Sequence, residues 1–213
     1  MDNLIYILFV AIFVPILLMT CLVEKKARYP LVFVLIGIFL TVFASEINAY
    51  LRNILPMTPF EITIVVTPIS EEILKALPIL FFATVLSPKK EAIFTASMAI
   101  GIGFAVLENA FYMLNDASFN MIDAIVRAFG AGLMHGMCTL LVGVGVLFVK
   151  KKQKLFVVGT FAMLSTAITY HGIYNMLVQS DYQIIGYLLP IATYIPFMVW
   201  RIRKIRRKKN SKN

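Results

Sequence analysis

Seven apolar runs divide the chain, at about 4–23, 31–50, 60–86, 92–114, 121–149, 155–178 and 184–200. Each is long enough to cross about 30 Å of hydrocarbon as a helix at a rise of about 1.5 Å per residue. The pattern predicts an all-α polytopic membrane protein of about seven transmembrane helices, folded as one domain over residues 1–213. The third and fifth runs exceed the length that one span needs, which permits tilt or a bend. Pro68 and Pro78 lie inside the third, where each removes a backbone donor and can kink the helix.

The polar positions inside these runs matter more than the runs themselves. Glu71, Glu72 and Lys75 interrupt the third. A charge near the middle of a spanning helix costs at least about 2.5–3.5 kcal/mol on insertion scales, so such a cluster marks a functional site by default. Glu71 and Lys75 are four apart and are expected to share a face and pair, with Glu72 turned about 100° away. A structural ion pair between helices is the plainer explanation, and the later runs weaken it. The fourth carries Glu108 and Asn109, with Tyr112 one turn beyond; the fifth carries His135 and Thr139; the sixth carries His171 and Asn175 on one face. The chain's two histidines both fall inside apolar runs.

Composition agrees and adds an orientation. The chain is 60% hydrophobic and only 15% charged, far from the balance of a soluble domain. The net charge of +9 suggests nucleic acid until it is located. Seventeen of the 20 Lys and Arg lie after the first, third and fifth runs or in the tail 201–213. These are alternate connections, as the positive-inside rule requires for seven spans with the N-terminus outside and the C-terminus cytoplasmic. The basic tail is read as a topology anchor that meets anionic lipid, with no nucleic-acid partner. Asp2 is the sole charge before Glu24, so the first run lacks a basic leader and is expected to be a retained span. Cys21 and Cys138 are too few for a disulfide framework. Gly101, Gly103, Gly130, Gly132, Gly136, Gly143 and Gly145 are expected to mark close helix approaches, Gly132 and Gly136 as a G-x-x-x-G pair.

Counted from the outer ends of their runs at about 1.5 Å per residue, Glu71, Glu108, His135 and His171 all fall at mid-depth or in the outer half of the membrane. They can therefore converge on one outward-opening cavity. Carboxylates beside histidines suit water activation, and a His and an Asn on one face can donate to a developing oxyanion. The same set could instead bind zinc, with Glu72, His135 and His171 as ligands and the other glutamate as base. The H-E-x-x-H signature of many metalloproteases is missing. A proton- or ion-coupled carrier, or a scaffold whose polar groups only pack, is the rival class. A carrier should show internal repeats, and none is apparent.

E-E-x-x-K (Glu71, Glu72, Lys75), G-F-A-x-x-E-N-x-x-Y (Gly103, Phe104, Ala105, Glu108, Asn109, Tyr112), H-x-x-x-T (His135, Thr139) and H-x-x-x-N (His171, Asn175) follow one another on successive runs. This order resembles the PrsW family of intramembrane proteases, itself distantly similar to the CAAX prenyl endopeptidases. The resemblance covers roughly 60–178, the expected catalytic core. It implies a glutamate-dependent endopeptidase in a bacterial plasma membrane. It further implies a single-span substrate, such as an anti-sigma factor cut first on its extracytoplasmic side in a stress response. Carried over, Glu71 and Glu72 supply the water-activating carboxylate, His135 and His171 assist with Glu108, and Asn175 polarises the scissile carbonyl. Lys75, Asn109, Tyr112 and Thr139 support them. A metal-free glutamic mechanism is preferred, with no cofactor. No added soluble domain is expected to select a substrate within residues 1–213.

Overall fold

The computed structural model describes residues 3–86, 88–115, 120–147 and 153–210, and every predicted run within them is helical. The elements are α1 (Leu4–Leu22), α2 (Lys25–Ile54), a single turn α3 (Pro59–Glu61), a π-helical segment (Ile62–Val66), α4 (Thr67–Val85), α5 (Lys90–Asn115), α6 (Met121–Val146), α7 (Gln153–Val178) and α8 (Gln183–Asn210). No strand occurs among the described residues. The basic residues Lys150, Lys151, Lys152 and Lys212, and Asp116, lie outside them.

Four helices, α1, α2, α5 and α6, are long and apolar enough to cross a membrane by length and composition, and Gln183–Val199 is a shorter apolar stretch. Large apolar side chains such as Ile7, Leu18, Phe81 and Phe161 face outward. A multi-pass membrane protein needs such a surface, because lipid, unlike water, exacts no penalty for exposed apolar area.

The bundle is built on α5 and α6. α5 packs along α2 and α6, and α6 packs along α7 and α8. Small residues set these distances. A Cβ at Gly103 would overlap the Val34 carbonyl of α2, and one at Gly37 would overlap the Ile100 carbonyl of α5, so these two backbones touch. Gly101 seats α5 on the turn of α6 that carries His135, with the Thr139 hydroxyl 2.7 Å from where a Cβ would stand. Gly132 differs from expectation: nothing lies within 4 Å of its Cβ position, so only Gly136 of that pair approaches a neighbour, the Met98 side chain. We expect Gly101→Ala to push α5 from α6, destabilising the protein by about 1–3 kcal/mol, the usual range for overpacking. Thermal unfolding in detergent checks this; an unchanged midpoint would contradict it.

The entry to α4 is irregular for a reason visible in the sequence. Pro68 has no N–H, so the acceptors it would otherwise use four and five residues earlier, Ile64 and Thr63, lose a partner. α7 closes over both. Asn175 Nδ2 donates to the Thr63 carbonyl at 3.0 Å. Gly172 lies against the Ile64 carbonyl, 2.7 Å from its Cβ position. Thr58 and Glu61 form a reciprocal cap at the start of this stretch. The proline expected to kink the helix is thus accommodated by a π segment, and the freed carbonyl anchors α7 beside the two glutamates.

Candidate active site

Glu72 and Lys75 sit on the inward face of α4 and are fully buried (0% exposed). Lys75 Nζ donates to Glu72 Oε1 at 2.6 Å, rests 4.4 Å from the centroid of the Phe104 ring, and meets His135 Nδ1 at 2.9 Å. The expected Glu71–Lys75 pair is therefore replaced by a Glu72–Lys75 pair. Positions three and four apart are both neighbours on a helix. The choice is made by α6 and α7, which deliver His135 and His171 to the Glu72 side.

Glu72 Oε1 also receives His171 Nδ1 at 2.8 Å. A carboxylate only accepts, so His171 donates from Nδ1; in the neutral ring Nε2 then keeps its lone pair. For His135 the logic runs the other way. An ammonium only donates, so Nδ1 accepts from Lys75 and Nε2–H points at Glu108 Oε2, 2.8 Å away. The two imidazoles stand edge to face, with centroids 5.0 Å apart. A buried relay thus gives the two histidines opposite tautomers.

Glu71 is placed differently. It lines a cavity of about 660 Å³ together with Glu108, His135 and Asn175. Asn48 Nδ2 of α2 donates to Glu71 Oε1 at 3.3 Å, and Ser70 Oγ donates to Asn48 Oδ1. Glu71 Oε2 is buried with no hydrogen-bond partner among the described residues. Glu108 takes Arg127 Nη2 at 3.6 Å as well as His135, and the Arg127 guanidinium lies 3.8 Å from the Tyr112 ring centroid. Asn175 reaches the cavity although its amide is bonded to Thr63; an amide has two N–H groups, so one remains.

Of the remaining expected residues, Thr139 donates to the His135 carbonyl at 2.7 Å and braces α6 without facing the cavity. Asn109 is buried on α5, away from the cavity wall. Two site residues escaped the sequence reading. Asn48 belongs to a polar stripe, Ser45, Asn48 and Arg52, spaced three and four apart on α2, and all three line the cavity. Arg127 lies near the outer edge of its apolar run, where a charge is unremarkable, yet it sits two turns N-terminal to His135 on the same helix.

The zinc set also shifts. Ligand atoms of Glu71, His135 and His171 lie within 4.8 Å of one another, whereas Glu72 is tied to Lys75 and His171. Two histidines and a carboxylate match zinc in donor type. Both imidazoles are also hydrogen-bonded, His135 to Lys75 and Glu108 and His171 to Glu72, so an ion would share them with these partners.

An apolar helical bundle closed around buried carboxylates, two tied histidines and a polar cavity of about 660 Å³ fits the class of intramembrane hydrolases. The chain belongs to the PrsW family of intramembrane metalloproteases, whose family profile matches residues 25–201. No curated protein and no solved structure matches it.

Proposed function

We propose that this intramembrane protease activates water directly with Glu71. The observation that carries the reading is the buried Glu71 carboxylate on the cavity wall, whose Oε2 has no hydrogen-bond partner among the described residues and which clusters with His135 and His171, one ligand atom of each within 4.8 Å of the others. A water held between Glu71 and neutral His171 donates a hydrogen bond to each and keeps a lone pair for the scissile carbonyl carbon. As the C–O bond forms, Glu71 takes one proton. The free N–H of Asn175 donates to the oxyanion. On collapse the C–N bond breaks, and Glu71 returns the proton to the leaving amine. Glu108 and the Glu72–Lys75 pair hold the two imidazoles in their tautomers.

A metal-dependent form of the same hydrolysis is favoured by the Glu71, His135 and His171 cluster and by the family's description. Those three would hold the ion, whose chemistry is Lewis-acid activation of water. Activity of metal-stripped protein decides between the forms: full activity after exhaustive chelation supports the glutamic route, and loss restored by zinc supports the other.

The substrate is proposed to be a single-span membrane protein of the anti-sigma-factor kind, cut near its extracytoplasmic boundary in a bacterial plasma membrane. The cavity wall reaches the C-terminal ends of α2 and α7 and the N-terminal part of α6, at the end of the bundle opposite Lys25, Lys26, Lys89 and Lys90. Under the positive-inside rule that end is outside, with seven spans and the N-terminus outside. Cysteine probes at Asn115 and Asp181 should label from outside, and one at Lys151 should not. Outside labelling at Lys151 would overturn the orientation.

A further inference from the structure

The outward end of the cavity carries two guanidiniums, Arg52 from α2 and Arg127 from α6. Of the wall's carboxylates, Glu108 pairs with Arg127, and neither Glu108 nor Glu71 pairs with Arg52. Glu71 is bonded by Asn48, and Glu108 already takes His135 at 2.8 Å, leaving Arg127 at a longer 3.6 Å. Arg127 Nε is buried without a hydrogen-bond partner, and Arg52 makes no ion pair, among the described residues. A buried donor left unpaired is costly and calls for an acceptor. The wall therefore offers two guanidiniums, Arg127 held by Glu108 and the Tyr112 ring and Arg52 without an ion pair among the described residues, whose charge-assisted donors suit bidentate recognition of a carboxylate.

The spacing locates that carboxylate on a bound chain. Arg127 lies eight residues from His135, about 12 Å along α6, and Arg52 lies four residues from Asn48, about 6 Å along α2. An extended peptide covers about 3.3 Å per residue, so these distances span about two to four residues. Resting on the protease reading above, we propose that Arg52 and Arg127 form a specificity subsite. It takes an aspartate or glutamate of the substrate about two to four residues outward of the scissile bond. The two basic groups thereby select substrates with an acidic juxtamembrane segment and hold the unwound strand in register with Glu71. This gives the bundle a means of choosing substrates within the membrane domain.

The test uses the full chain in phosphatidylcholine vesicles with single-span reporters, randomised over the residues just outside their spans. Glu71→Gln protein serves as the blank, and shed products are sequenced. Cleaved reporters should be enriched in Asp or Glu at the stated positions. Asp→Asn in a selected reporter, which leaves the enzyme untouched, should lower kcat/KM about tenfold, mainly through KM, as expected for one charged hydrogen-bond acceptor. Arg52→Glu should exchange the preference for Lys. Cleavage without acidic enrichment, or enrichment that survives Arg52→Glu, would overturn the subsite and leave the protease reading standing. Cleavage of no reporter would overturn both. An Arg52 effect seen only with added phosphatidylglycerol, whatever the reporter sequence, would assign the guanidiniums to lipid phosphate and also overturn the proposal.

Discussion

Glu71→Gln is expected to abolish peptide hydrolysis while leaving the bundle intact. The amide keeps the size of the side chain and can still accept from Asn48, so packing against α2 is preserved. It cannot take a proton from water, and loss of a general base costs about a hundredfold to ten-thousandfold. Glu46→Gln is the internal control. Glu46 accepts from the Tyr6 hydroxyl at 2.6 Å between α1 and α2 and does not line the cavity, so activity should stay within about twofold. Equal losses from both changes, with matching losses of folded protein, would remove Glu71 from the chemistry.

The second large effect concerns stability. Lys75→Met leaves the Glu72 carboxylate buried with only His171 as partner. Removing one member of a buried ion pair costs about 3–5 kcal/mol, because the remaining charge is uncompensated. Glu72→Gln combined with Lys75→Met should recover much of that loss, since the Gln carbonyl can accept from His171 without a charge to bury. The double variant should still be impaired in catalysis, because His135 has lost the donor that sets its tautomer. Cys138 supplies the readout. It is fully buried on α6, while Cys21 is exposed and can be changed to Ser. Thiol labelling against temperature then reports unfolding. Additive losses in the double variant would show that the pair is not coupled.

These two expectations separate Glu71 from Glu72, which the sequence alone could not do. Apolar runs are legible because lipid demands them, and each predicted run in the described chain is a helix. The approach of Glu71, Glu108, His135 and His171 to one another was also legible, since ionisable groups inside such runs must find one another, although His171 does not line the cavity as expected. Which carboxylate pairs with Lys75 was not legible. That depends on the rotation of α6 and α7 about α4, and helix spacing allows both answers. Asn48 was hidden because one amide on an apolar helix is unremarkable until its neighbours Ser45 and Arg52 are seen to share its face. The π segment had a local cause, Pro68, but its consequence lies in α7, where Asn175 supplies the N–H that Pro68 lacks. Asn175 is thus both a wall of the site and a tie between helices, and its replacement would disturb both.

The proposed topology also predicts where cleavage occurs. A substrate helix has its carbonyls hydrogen-bonded within itself and must unwind before attack, most readily near an end where backbone groups already meet water. The most direct measurement is mass spectrometry of both fragments of a single-span substrate after incubation with the purified protein in vesicles, beside the Glu71→Gln variant. The account predicts a cut at or just outside the substrate's outer membrane boundary, leaving a stub with most of its span, and no cut by Glu71→Gln. A cut in the cytoplasmic half of the span, or one that persists in Glu71→Gln, would contradict it.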